Sequence, residues 1–202
     1  MRLFGKIIQF GIPRSGSTLV YNILREIAPY ARVKKVHDLR GMGSSLPIVC
    51  TYRNPIDVMA SLFESQGLEL DGASLDRQII TLNLQGIWDL LLVRDKPNVL
   101  LLRYETFYRD VAGAVRAIAA FLKVELSEER VAEIVERFHI ETVMQHTSTM
   151  NDFSEVDKKT KFHGKHVSRF KGEPGYHAEV FNAEQIDLIQ RSFYYFIRQF
   201  DY

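Results

Sequence analysis

The stretch Gly11-Ile12-Pro13-Arg14-Ser15-Gly16-Ser17-Thr18 joins two segments of different periodicity. Before it, Lys6–Ile12 (KIIQFGI) is a short apolar run bounded by Gly11 and Pro13, which predicts a buried strand. After it, Leu19, Ile23, Leu24 and Ile27 share one helical face, which predicts a helix from Thr18 to about Ile27, with Pro29 just beyond. A strand–turn–helix loop of this kind aims successive backbone N–H groups at one point, and the helix N-terminus adds positive potential. Gly16 lets the backbone approach a ligand closely, Ser15, Ser17 and Thr18 add hydroxyl donors, and Arg14 adds fixed positive charge. These residues describe a phosphate or sulfate cradle. The plain alternative is an ordinary turn rich in Ser and Gly.

The spacing of Gly11, Gly16 and Thr18 matches the P-loop pattern G-x-x-x-x-G-K-[ST], but Ser17 stands where that pattern has lysine. A P-loop NTPase also needs an acid at the end of a neighbouring strand to hold magnesium. Here the central strand candidate, Pro47–Tyr52 (PIVCTY), ends in Arg53. A cation at that point argues that side chains, without a metal, handle the anion.

Working outward, further strands are expected at Ala31–Val36 and Asn98–Arg103, and a loop at Gly41–Ser45. Asn54-Pro55 is a strong helix start, with Asn as cap and Pro at the first helical position; that helix runs to about Ser65. One long helix carrying Trp88 is expected over Leu75–Arg94. Val111–Leu122 and a segment capped by Ser127 are amphipathic. Residues 146–181 are polar, basic and aromatic without periodicity, which reads as a functional loop. A helix follows, with Asn182 and Gln185 as capping box and an apolar face from Ile186 to Phe200. Strands alternating with helices predict an α/β protein of three layers, a mostly parallel central sheet flanked by helices.

A chain of 202 residues fits a single compact domain over 1–202, with the loop at about 146–181 as its cover. One cysteine, Cys50, excludes an internal disulfide framework and a Cys-based zinc cluster, and favours a reducing compartment. The N-terminal MRLFGKIIQFGIPRSG shows no signal-peptide run, and no segment has about 18 apolar residues, so a cytoplasmic location and no membrane partner are expected. The net charge is only +1, but residues 1–53 carry +7 and the rest −6, with a six-base, acid-free island at 158–171. Two basic regions on an otherwise acidic chain suggest an anionic ligand rather than nucleic acid.

A second motif, Arg53-Asn-Pro-Ile-Asp57-Val-Met-Ala-Ser61, places Arg53 at a strand's carboxyl end, where ligands bind in open α/β sheets. Arg53 can fork onto a phosphate and Ser61 can donate a hydroxyl; alternatively Arg53 pairs with Asp57 or Asp38 and Ser61 faces solvent. Together, Pro13–Thr18 and Arg53–Ser61 resemble the P-[KR]-S-G-[ST]-[ST] loop and the R-[ND]-P-x-D-x-x-x-S motif of sulfotransferases that use 3′-phosphoadenosine 5′-phosphosulfate (PAPS). Tyr104-Glu105 after the fourth strand resembles that family's Y-E/D segment, and Lys171-Gly172-Glu-Pro-Gly175-Tyr176 its late K-G-x-x-G-x-W loop. The resemblance covers most of the chain and is weak between about 62 and 95 and over 140–165.

The resemblance implies a P-loop NTPase-like sulfotransferase fold and a PAPS-dependent sulfotransferase acting on the hydroxyl of a small-molecule or carbohydrate acceptor, by metal-free in-line transfer. It implies that Arg14, Ser15, Gly16, Ser17, Thr18, Arg53, Ser61, Tyr104, Lys171 and Gly172 bind the co-substrate, and that catalysis falls to His37, Arg14 and Lys35. His37, in Lys35-Val36-His37, is the expected general base, with Asp38 and Glu64 as alternatives. The chain departs from the family pattern in having Leu19 where an adenine-stacking aromatic is common, for which Tyr21 or another ring can substitute. The family's C-terminal dimer motif is also not visible. Phe153 and Phe162 are candidate acceptor-pocket residues; His163, His166 and His177 in the basic loop lack the spacing of a zinc site. The competing functions are a small P-loop kinase and a non-catalytic nucleotide- or anion-binding module.

Overall fold

The computed structural model describes residues 5–40, 45–152, 154–164 and 167–202. Residues 41–44 of the expected loop, together with Phe153 and His166, lie outside them. Four parallel strands form one sheet in the order β2-β1-β3-β4, with β1 Lys6–Gly11, β2 Arg32–Val36, β3 Ile48–Tyr52 and β4 Val99–Arg103. Side chains alternate across it. Ile8, Phe10, Ile48 and Cys50 enter one apolar cluster, while Ile7, Val49 and Leu102 enter the other. Strands covered on both faces read as continuous apolar runs, as KIIQFG and IVCTY do.

The first cluster is closed by α2 (Pro55–Gln66), α3 (Gly72–Leu82), α4 (Trp88–Val93), α9 (Ala183–Ser192) and α10 (Tyr194–Phe200). The second is closed by α1 (Ser17–Ile27), α6 (Val111–Leu122), α7 (Glu128–Arg137) and α8 (Ile140–Thr147), with Phe107 of the short α5 (Tyr104–Arg109). The result is the expected three layers. Asn54 caps α2 by accepting from the Ile56 N–H at 2.9 Å, with Pro55 at the first helical position. Asn182 and Gln185 make the capping box of α9.

Two expected helices are interrupted. The long helix over Leu75–Arg94 starts earlier, at Gly72, and breaks in a wide turn over Asn83–Ile87, where Gly86 takes φ 101°. Its periodicity carries through the break, so a pattern of apolar residues alone shows one helix. The C-terminal helix likewise divides at Phe193, a buried ring with non-helical dihedrals. The stretch 146–181 is mostly irregular, holding an isolated antiparallel bridge between Val156 and His163 and a 3₁₀ turn at Tyr176–Glu179.

The fold positions chemistry through the carboxyl ends of its strands. Arg14 follows β1, His37 follows β2, Arg53 follows β3 and Tyr104 follows β4. Since β1 lies between β2 and β3, the chain leaves β1 in opposite directions on successive crossovers, which opens a crevice at that point.

Candidate active site

The loop after β1 is curled by two left-handed residues, Arg14 (φ 61°) and Gly16 (φ 76°). A Cβ on Gly16 would stand 2.6 Å from Phe107 Cζ, so only glycine fits between the loop and α5. Ser15 departs from expectation. Its hydroxyl is fully buried, donates to the Ile12 carbonyl at 2.7 Å and pairs with the Thr51 hydroxyl at 2.8 Å. It braces the loop against β3 and leaves only its backbone to a ligand. Ser17 and Thr18 do line the crevice.

Arg14 Nε donates to Ser61 Oγ at 2.8 Å, so the cation of the first motif is held by the last residue of the second. Burial pulls the Arg14 pKa down from its ordinary value, but a guanidinium keeps its charge. Lys35 Nζ donates to Thr18 Oγ1 at 2.9 Å. Burial, with Arg14 and Lys161 nearby, lowers Lys35 to about 8.

His37 Nδ1 lies 2.7 Å from the Gly11 carbonyl. A carbonyl only accepts, so Nδ1 carries the proton and Nε2 keeps a lone pair. Burial, and then the neighbouring Lys35 charge, push its pKa below the ordinary histidine value, so the ring is neutral near pH 7. The wide turn after α3 presses on the same residue: a Cβ on Gly86 would meet the His37 carbonyl oxygen at 2.6 Å. Of the alternative bases, Asp38 is half-buried and bonded to Arg40, while Glu64 accepts the Arg169 N–H through Oε1 at 3.1 Å and keeps a buried Oε2 with no hydrogen-bond partner.

Arg53 is only 2% exposed. Its guanidinium lies 4.2 Å from the Tyr104 ring centroid, donates weakly to the Arg14 and Glu173 carbonyls, both at 3.4 Å, and stands 3.7 Å from Asp57 Oδ2. Arg53 Nε is buried and has no hydrogen-bond partner. A buried donor without a partner is costly, and an anion in the adjoining crevice would satisfy it.

Asp57, which the motif contained and sequence reading left as a salt-bridge candidate, holds the late loop. It accepts the Gly175 N–H at 2.7 Å and the His177 Nδ1–H at 2.6 Å. Burial alone would raise its pKa; the bond from His177, the Arg53 charge and the Gly175 N–H outweigh that and hold it below the ordinary carboxylate value. Tyr104 Oη donates to the Gly172 carbonyl at 2.7 Å, and burial pushes its pKa up to about 12. The late loop is thus tied to α2 and to the end of β4. Nothing in the sequence singled out His177 for this.

The crevice between these groups has a volume of about 580 Å³. It is lined by Arg14, Gly16, Ser17, Thr18, Lys35, His37, Arg53, Ser61, Tyr104, Lys171 and Gly172, so all the expected residues except Ser15 meet there. Phe162 and His163 line it too. An apolar wall of Leu19, Phe107, Val111, Phe138, Ile140 and Val143 was not anticipated. Tyr21 does not belong to it; its ring lies 5.5 Å from the Arg25 guanidinium. Among the described residues no group of three or more His, Cys, Asp or Glu side chains could hold a metal ion, and no helix is long and apolar enough to cross a membrane.

A family model described as sulfotransferase domain matches residues 40–200. That stretch holds Arg53, Ser61, Tyr104 and Lys171 and begins after the first loop. Luciferin sulfotransferase of Photinus pyralis is 25% identical over 127 residues, 56% of this chain and 33% of that protein, so the match spans about a third of the relative's length. A crystal structure of mouse sulfotransferase SULT7A1 complexed with PAP is similar with a TM-score of 0.75 at 17% identity, over 96% of this chain and 85% of that one. Retinol dehydratase in complex with androsterone and inactive cofactor PAP follows at TM-score 0.63 and 14% identity, over 96% and 80% of the two chains. The fold is the P-loop-like sulfotransferase fold.

Proposed function

Because the chain belongs to the sulfotransferase domain family, we propose that it moves the sulfuryl group of PAPS to a hydroxyl of a small-molecule or carbohydrate acceptor. The observation that carries this reading is the convergence of Arg14, Lys35 and Arg53 on one crevice beside a neutral His37 whose Nε2 can accept a proton. Residues 1–202 form one catalytic domain in this reading, and the loop at about 146–181 covers its ligands.

The chain's residues divide the work. Backbone N–H groups of Ser15–Thr18 hold the 5′-phosphate, and Arg53, Ser61, Lys171 and the backbone at Gly172 hold the 3′-phosphate, where the unpartnered Arg53 Nε supports the placement. The apolar wall from Leu19 to Val143, with Tyr104, takes the adenine. His37 Nε2 takes the acceptor proton while the acceptor oxygen bonds to sulfur. The bond from sulfur to the bridging oxygen breaks, and Arg14 and Lys35 stabilise the charge that collects on the departing phosphate. Arg14 cannot donate a proton usefully, so its part is electrostatic. PAP, the 3′,5′-bisphosphate of adenosine, leaves as the other product.

A P-loop kinase is disfavoured by Ser17 and Arg53, which stand where lysine and a magnesium-binding acid are needed. Cys50, the lone cysteine, is buried with its pKa raised, and supports a reducing, cytoplasmic setting. Calorimetry separates the readings: 3′,5′-adenosine diphosphate should bind in EDTA and ATP–Mg²⁺ should not. No binding of the bisphosphate would sink the proposal. Arg53→Ala should weaken the 3′-phosphorylated nucleotide far more than adenosine 5′-phosphosulfate; equal losses would remove Arg53 from the 3′-phosphate.

A further inference from the structure

The two faces of the sheet give the crevice two unlike halves. On the side of α1, α5, α6, α7 and α8 its wall is apolar: Leu19, Phe107, Val111, Phe138 and Val143 all enter or pack on the second cluster. On the other side it is bordered by α2 and by the wide turn after α3, and there it is polar. Ser61, Leu62 and Gln66 come from α2 and Gln85 from the turn. Leu62 is the apolar member of this set, and it is 6% exposed and packed into the first cluster. What this half offers a ligand is therefore hydroxyl and amide.

Gln66 is the last residue of α2, and Gln85 takes φ −105° and ψ 60° in the turn, directly before Gly86. Both are exposed, and neither side-chain amide hydrogen-bonds another described residue. Gly86 lies against the His37 carbonyl, so Gln85 stands beside the proposed base. His163 lines the crevice too, near enough for its charge to act on His37. Ser61 holds Arg14 and Lys35 holds Thr18, which leaves the two amides to a ligand on this side.

The apolar half suits the adenine, and the polar half beside His37 is then left to the acceptor. A side-chain amide both donates and accepts, as a hydroxyl does. A flat apolar ring pressed against Gln66 and Gln85 would strip water from them and return no hydrogen bond, which is costly. An anionic acceptor would need cations of its own, and in the proposed transfer Arg14, Lys35, Arg53 and Lys171 are taken up by the nucleotide. A molecule with several hydroxyls satisfies both amides while one hydroxyl reaches His37. We propose that the acceptor is polyhydroxylated, a sugar or a cyclic polyol, and that Gln66 and Gln85 read the hydroxyls flanking the one that receives sulfate. This rests on the sulfuryl-transfer reading and narrows its acceptor to one chemical class.

Transfer from radiolabelled PAPS to methyl glucoside and to myo-inositol, set beside p-nitrophenol, tests this. The polyols are expected to exceed the phenol about tenfold or more in kcat/KM. Gln66→Leu and Gln85→Leu, both at exposed positions, should each raise KM for the polyols about tenfold and narrow or reverse the preference over p-nitrophenol. Calorimetric binding of 3′,5′-adenosine diphosphate should stay as in the parent chain, which also reports an intact fold. A phenol preferred over both polyols, no transfer to either polyol by a chain that binds the bisphosphate, or Leu variants that impair both acceptor classes alike would each overturn the assignment. A chain that does not bind the bisphosphate removes the sulfuryl-transfer reading itself, and this assignment with it.

Discussion

The base role proposed for His37 rests on one backbone contact and on burial. The Gly11 carbonyl fixes the proton on Nδ1, and burial keeps the ring neutral. His37→Ala is expected to cut turnover by about 10²–10⁴-fold and to leave binding of 3′,5′-adenosine diphosphate intact, as single-turnover assays beside calorimetry would show. The pH profile follows from two groups. Below its lowered pKa, under 6.5, His37 gains a proton and cannot accept another. Above about 8, Lys35 loses the charge it holds against Thr18. The profile of kcat/KM for the free enzyme should therefore be a bell, and Lys35→Arg should carry the alkaline limb upward. Gly16→Ala should abolish nucleotide binding, because its Cβ would collide with Phe107 in a left-handed backbone. The residues of the cradle were legible from type and spacing. The use of Ser15 was not, because a hydroxyl's direction depends on β3, which arrives 36 residues later in the chain.

Between elements, the late loop is the part that sequence reading located without explaining. Lys171–Tyr176 was visible as a basic, glycine-containing segment, but its anchorage comes from Asp57 on α2 and Tyr104 after β4, far away in sequence. Asp57→Ala should free the Gly175 amide and His177 together. Limited proteolysis should then cut within the loop several-fold faster than in the parent chain, and nucleotide should slow the cut less than it does there. Unchanged cleavage would mean that Asp57 does not hold the loop. The breaks at Gly86 and Phe193 escaped notice for a related reason. Apolar periodicity survives a change of helix direction, and what forces each break, the His37 carbonyl in one case and a packed ring in the other, belongs to tertiary structure.

Across the whole molecule, the sheet was the most legible feature. Its central strands β1 and β3 are buried on both faces, so their apolar runs stand out from amphipathic helices on either side, whereas the edge strand β2, RVKKV, is half-exposed. Saturating 3′,5′-adenosine diphosphate at about a hundred times its dissociation constant should stabilise the fold by about 2.7 kcal/mol. For a chain of this size that is a rise in melting temperature of roughly 5–10 °C, measurable by scanning calorimetry and unchanged by EDTA. The asymmetric charge fits the same picture. The +7 of residues 1–53 includes Arg14, Lys35 and Arg53 of the crevice, and Lys171 of the basic island lines the same crevice.

The three hydrogen bonds that fasten Gly172, Gly175 and His177 also bear on the order of events in a turnover. Under the proposed function, a nucleotide seated beneath that strap leaves when the strap lifts, and a pre-steady-state burst of sulfated product in quenched flow is the expected outcome.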